Sequence, residues 1–174
     1  GMRFPVLQGK PVLINDKNSL FNISDIVKAK KRESSTIKND RPSGGLLRKM
    51  IECIPEVPEN LKWKKNLQQI FGLLAATSEP KKALLIGAGE SGVLIRDLFK
   101  KINCELIETD IAFGDRTDVV CDAHDLPFKD QTFDLVFCQA VLEHVVHPQR
   151  CVDEIHRVLK LGGLIYAETP FKQQ

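Results

Sequence analysis

The sequence predicts an α/β protein in which a parallel sheet carries helices on both faces. Three observations lead there. Apolar runs of strand length recur between Lys82 and Glu168, separated by helical patterns or longer crossovers. One of those runs, Ala83-Leu84-Leu85-Ile86, breaks directly into Gly87, Gly89 and Gly92. The composition is also that of an ordinary globular chain, 43% hydrophobic and 28% charged over 174 residues, enough for one sizeable core.

Along the chain, Phe4 to Ile14 holds two short apolar runs around Gln8-Gly9, which predicts a hairpin followed by a polar turn at Asn15-Asp16. Residues 28–45 carry Lys28, Lys30, Lys31, Arg32, Lys38 and Arg41 among serines and a Gly44-Gly45 pair. So little apolar content predicts a mobile linker, although a basic run can also contact an acidic substrate. Leu46 to Cys53 reads as a short helix stopped before Pro55, and Asn60 offers an N-cap for a longer one. In the longer helix Trp63, Leu67, Ile70, Phe71 and Leu74 form one stripe, facing the sheet unless Trp63 lines a substrate pocket. The expected division is 1–45 for hairpin and basic linker, 46–78 for a helical extension, and 79–174 for the core.

Within the core the pattern predicts strands at 82–87, 104–109, 118–121, 133–138 and 164–168. Helices are expected at about 92–102, with Ile95, Leu98, Phe99 and Ile102 on one face, and at 148–159, with Val152, Ile155, Val158 and Leu159 inward. In such a sheet ligands bind at the carboxyl ends of the strands.

A net charge of +2 supports neither a nucleic-acid nor a membrane partner. The five cysteines show no CxxC spacing, so no disulfide framework and no metal site is expected, and thiols idle in a reducing cytoplasm fit better. No apolar run approaches a membrane span, and the N-terminus lacks a signal-peptide core.

Gly87-x-Gly89-x-x-Gly92 suits a tight turn that a ligand's backbone-facing groups can approach, but the spacing also serves nicotinamide and flavin cofactors, or only close helix packing. Asp110 comes about one βα unit later, where a carboxylate can accept ribose hydroxyls or sit in a solvated turn. Further along come Asp122-Ala123-His124-Asp125-Leu126-Pro127-Phe128, then Phe133-Asp134-Leu135-Val136, Val141-Leu142-Glu143-His144-Val145 and Leu159-Lys160-Leu161-Gly162-Gly163.

That series, in that order, resembles the motifs of class I S-adenosylmethionine-dependent methyltransferases over residues 81–171, about half the chain. The resemblance implies a Rossmann-like core and S-adenosylmethionine as cofactor. It places Gly87, Ala88, Gly89 and Gly92 at the amino-acid end of the cofactor, Asp110 on the ribose, and Asp122 and Ala123 on the adenine. Gln139 and Ala140 would lie nearest the sulfonium, and Glu143 and His144 on the acceptor side. His144 reads either as a packing or capping residue or as a general base. The N-terminal hairpin is similar to the latter half of a small zinc-ribbon module that precedes some of these enzymes, without its cysteines. Two departures stand out: Leu85 replaces an acidic residue two before the first glycine, and Gly89 to Gly92 is one residue longer than the usual turn. The family fold also continues with two strands beyond the fifth, so a sheet ending near Gln174 is expected to be incomplete, with an exposed edge at 164–168 open to self-association or covered by the N-terminal hairpin.

The leading expectation is therefore a methyltransferase acting on an unidentified acceptor. A module that binds cofactor or partner without turnover is the alternative, and NAD-dependent oxidoreduction rests on the glycine spacing alone.

Overall fold

The structure, a computed structural model, describes residues 3–36, 61–74, 79–89, 96 and 99–169, with the backbone alone for 30–36 and 61–64. The expected helix at 46–53, the end of the linker, the Trp63 side chain, Gly92 and most of the helix at 92–102 lie outside the described residues.

Five parallel strands form the core: β3 (Lys81–Ile86), β4 (Cys104–Asp110), β5 (Val119–Val120), β6 (Phe133–Gln139) and β7 (Leu159–Glu168), in the spatial order β5-β4-β3-β6-β7. The chain builds outward from β3 to β5, then returns to add β6 and β7 on the other side. The order reverses between β3 and β6, which makes their carboxyl ends the natural ligand crevice.

Alternation along the strands sends side chains to two cores. Ala83, Leu85, Leu135 and Phe137 face one way, against Leu67 and Leu74 of a helix at Leu61–Leu74, here α2, and against Phe99. Leu84, Ile86, Val136 and Cys138 face the other way, against Ile155 and Val158 of α3 (Pro148–Val158). Helices thus cover both faces of a Rossmann-like sheet. Aromatic pairs reinforce the first core, with Phe71 edge-on to Phe99 at 5.2 Å and Phe137 stacked on Tyr166 at 4.5 Å.

The N-terminal hairpin pairs β1 (Val6–Leu7) with β2 (Lys10–Pro11), and Gln8 and Gly9 turn with φ of 53° and 77°, the positive values a two-residue hairpin loop needs. It packs beside β5: Val12 bridges Val120 in parallel, and the Leu13 amide donates to the Val120 carbonyl at 2.8 Å. The Lys10 ammonium fastens it further by donating to the carbonyls of Gly114 and Thr117, both at 2.6 Å. The hairpin therefore sits at the β5 edge, opposite β7, and does not cover residues 164–168.

Three local expectations need correction. Residues 28–36, expected as linker, continue α1 (Ile23–Thr36), because Ile23 and Ile26 pack on the Val12, Ile14 and Val120 cluster. Asp16 Oδ1 accepts the Ile23 amide at 2.8 Å, satisfying a free donor at the start of that helix. In α3 the inward stripe is Cys151, Ile155 and Val158, while Val152 is 38% exposed. Strand β7 starts at Leu159 rather than 164, passing through a register shift between its partners Phe133 and Leu135. Gly162, at φ 77°, and Gly163, where a Cβ would lie 2.9 Å from the Lys160 carbonyl, allow that irregularity.

Candidate functional site

The strand tips at the crevice are tied together by backbone hydrogen bonds. After β3 the chain turns through Gly87 and Gly89, with φ of 77° and 51°. The amides of Gly87 and Ala88 donate to the Thr109 carbonyl at 2.9 and 3.0 Å. The Gly89 amide donates to Asp110 Oδ2 and the Ala112 amide to Asp110 Oδ1, each at 2.9 Å. Asp110 thus links the glycine turn to the loop after β4. A carboxylate offers about four acceptor positions, so each oxygen keeps one that these two amides do not use. Ala88 contributes its methyl group to the α2-side core, behind the turn.

A cavity of about 170 Å³ lies beside this turn, lined by Gly87, Asp110, Ile111, Asp122, Ala123 and His144 among others. The structure therefore brings Gly87, Asp110, Asp122, Ala123 and His144 to one place. Glu143 is exposed nearby and does not line the cavity. Gln139, at the tip of β6, donates from Nε2 to Glu168 Oε2 at 3.4 Å and is likewise outside the cavity lining. Next to it Ala140 holds φ 53°, uncommon for a residue with a side chain, and its amide donates to the Glu168 carbonyl at 2.8 Å.

Asp122 is only 2% exposed and its oxygens are occupied. Oδ1 accepts the His124 amide at 2.9 Å and lies 2.7 Å from His124 Nδ1. Oδ2 accepts the Ser19 hydroxyl at 2.6 Å and the Leu20 amide at 3.0 Å. His124 Nε2 accepts the His147 amide at 3.2 Å; an amide can only donate, so the ring proton sits on Nδ1 and is given to Asp122. Burial alone would raise the Asp122 carboxyl, but the hydrogen bonds from Ser19, His124 and Leu20 outweigh it and hold it below the ordinary range.

Two groups of residues here escape sequence reasoning. Ser19 and Leu20 reach Asp122 from 103 and 102 residues away, a pairing with no periodic or motif signal. Behind the site, fully buried Glu108 pairs with Arg96 and Arg116, while Asp118 accepts Arg96 Nη2 at 2.9 Å and the Glu108 amide at 2.9 Å. That network braces β4 against the segment after the glycine turn. The only legible hint is a charged residue, Glu108, inside an apolar strand pattern.

Burial pushes the Cys121 and Cys138 thiols up to about 12, so neither presents a thiolate near neutral pH. Among the described residues no cluster of three His, Cys, Asp or Glu side chains could hold a metal ion, and no helix is long and apolar enough to cross a membrane.

The sheet order and the crevice define a Rossmann-like α/β protein. Residues 84–167 match the family model described as a methyltransferase domain. A demethylmenaquinone methyltransferase of Clavibacter sepedonicus is 38% identical over 99 residues, covering 56% of this chain and 39% of that protein. A ubiquinone/menaquinone biosynthesis C-methyltransferase of Bordetella avium is 50% identical over 44 residues, 25% of this chain and 17% of the relative. Among solved structures, that of the methyltransferase CalH in complex with SAH overlaps with a TM-score of 0.47 at 18% identity, covering 56% of this chain and 34% of that one. The α/β core of this chain is thus similar to methyltransferase domains over residues 84–167. The chain spans less than half the length of each of these relatives.

Proposed function

We propose that the crevice binds S-adenosylmethionine and that the protein transfers its methyl group to an acceptor yet to be identified. The observation that carries this reading is Asp110, held at the tip of β4 by the Gly89 and Ala112 amides with an acceptor position open on each oxygen. A pair of neighbouring ribose hydroxyls suits that carboxylate. Gly89, where a Cβ would meet nothing closer than 4.0 Å, leaves the backbone bare for the amino-acid end, and Gly87 shapes the turn that presents it. Ala123 and Asp122 present a backbone donor and a carboxylate to the purine edge. The latter fits an exocyclic amine only by exchange with a donor it already holds.

When bound, the cofactor supplies a methyl group on a sulfonium, already activated for in-line displacement. The chain's own task is then placement: near-attack geometry can account for ~7–11 kcal/mol of a barrier. Gln139 and Ala140 end β6 beside the β3 turn and face the reacting centre in this reading. Glu143 and His144 border the acceptor side, and His144 takes a proton from the acceptor only if the acceptor nucleophile needs it. Buried free thiols at Cys104, Cys121, Cys138 and Cys151 support residence in a reducing cytoplasm.

Titration calorimetry tests the reading. S-adenosylmethionine and S-adenosylhomocysteine are expected to bind with measurable heat and NAD to give none. Heat from NAD alone would overturn it.

A further inference from the structure

The loop between Asn15 and Asn22 does more than join β2 to α1. It is anchored on both sides, by Leu13 on the Val120 carbonyl and by Asp16 on the Ile23 amide. Between those anchors its tip lies across the cavity. Leu20 and Phe21 line the cavity yet remain 43% and 42% exposed. Arg150, in the first turn of α3, donates from Nη2 to the Asn18 carbonyl at 2.7 Å and latches the tip from the far side. Ser19 and Leu20 supply the two donors on Asp122 Oδ2.

Hydrogen-bonding capacity limits what Asp122 can take on. With Oδ1 committed to His124 and Oδ2 to the strap, an amine arriving from the cavity finds no open acceptor on Asp122. His124 cannot readily yield. Its amide lies in the same turn as Asp122, and its ring is held from behind by the His147 amide. The strap can yield, because its tip is half in water and is held by a few polar contacts rather than by core packing.

We propose that the strap Asn18–Phe21 competes with the purine amine for Asp122, so that Ser19 and Leu20 set the affinity of the adenosine pocket. This rests on the reading of the crevice as a cofactor site. Binding releases the Ser19 hydroxyl and the Leu20 amide from Oδ2 and puts the amine in their place, and the closed strap lowers apparent affinity in proportion to its population.

The test is titration of S-adenosylhomocysteine into the whole chain and into Ser19→Ala and Arg150→Ala, with amide exchange followed at Leu20 and Phe21. Arg150 touches the strap but not Asp122, so it reports on the latch alone. Each variant is expected to bind roughly three- to tenfold more tightly, because a hydrogen bond closing the strap is gone. In the unaltered chain the ligand should speed exchange at Leu20. Unchanged or weaker binding in both variants, with exchange slowed by ligand, overturns the proposal and makes the strap a fixed wall, leaving the cofactor reading intact. Binding by none of the three proteins removes the cofactor reading and the strap proposal with it.

Discussion

Val141 packs so closely on the α-carbon of Gly87 that a methyl group added there would lie 2.3 Å from its Cγ2. The side chain after β6 thus fixes how the turn after β3 sits, coupling the two strands that flank the crevice. Gly87 also holds φ 77°, a region that costs a residue with a Cβ about 1–2 kcal/mol. Gly87→Ala is therefore expected to lower unfolding free energy by about 2–4 kcal/mol, strain and overpacking together. Adding Val141→Ala should recover only the steric share. Urea denaturation of the two single variants and the double variant checks this; additive losses would mean that the two residues are not in contact.

Asp110 and Asp118 stand on either side of the loop after β4 and do different work. Asp110→Ala removes the acceptor of the Gly89 and Ala112 amides and is expected to weaken S-adenosylhomocysteine binding by roughly 1.5–3 kcal/mol. Asp118→Ala removes a partner of Arg96 and of the Glu108 amide, behind the site. It should leave binding nearly unchanged and lower stability by about 1 kcal/mol, a modest figure because Asp118 is 41% exposed. Calorimetry and denaturation on both variants separate the roles, and equal losses of binding would place the ribose contact wrongly.

The core strands are legible because each is an apolar run flanked by breakers, and burial on both faces of a parallel sheet demands such runs. Helix α1 is not legible past Lys28: its Lys, Arg and Glu residues favour helix individually but show no apolar stripe, and the packing that starts it lies at Ile23 and Ile26. The early start of β7 hides in Gly162 and Gly163, which read as a turn and act as an irregularity within the strand. For the site, chain order announces Gly87, Asp110 and Asp122 as neighbours at strand ends. It cannot announce that Asp122 is occupied, since Ser19 comes from a separate segment near the start of the chain.

Among the described residues β7 has a neighbour, β6, on one side only, and Ile165 is 48% exposed on it. A strand with unpaired backbone groups and exposed apolar residues favours pairing with another chain. Light scattering is expected to show mass rising with protein concentration, and Ile165→Lys should suppress the rise. A constant monomer mass, with fast amide exchange along 164–168, would count against self-association at this edge.

Asp122 also makes stability depend on pH. Its carboxyl is held below the ordinary value of about 3.9, so the stability it contributes is present above that value and is lost as pH falls through the lower folded value. Asn at this position would put an amide donor opposite one pair of donors, either Ser19 and Leu20 or the two from His124. Asp122→Asn is therefore expected to be less stable by roughly 1.5–3 kcal/mol at pH 7. The gap should narrow as the pH drops below about 4, because the unfolded form of the unaltered chain takes up a proton there that the folded carboxylate resists. Asp134 is also held low, despite partial burial, by the Lys82 amide and by Lys160, but it titrates in both proteins and cancels in the difference. Urea midpoints for both proteins across pH 7 to 3 decide the matter. A gap that stays constant over that range would mean that Asp122 is not the charged acceptor holding the strap and His124 together.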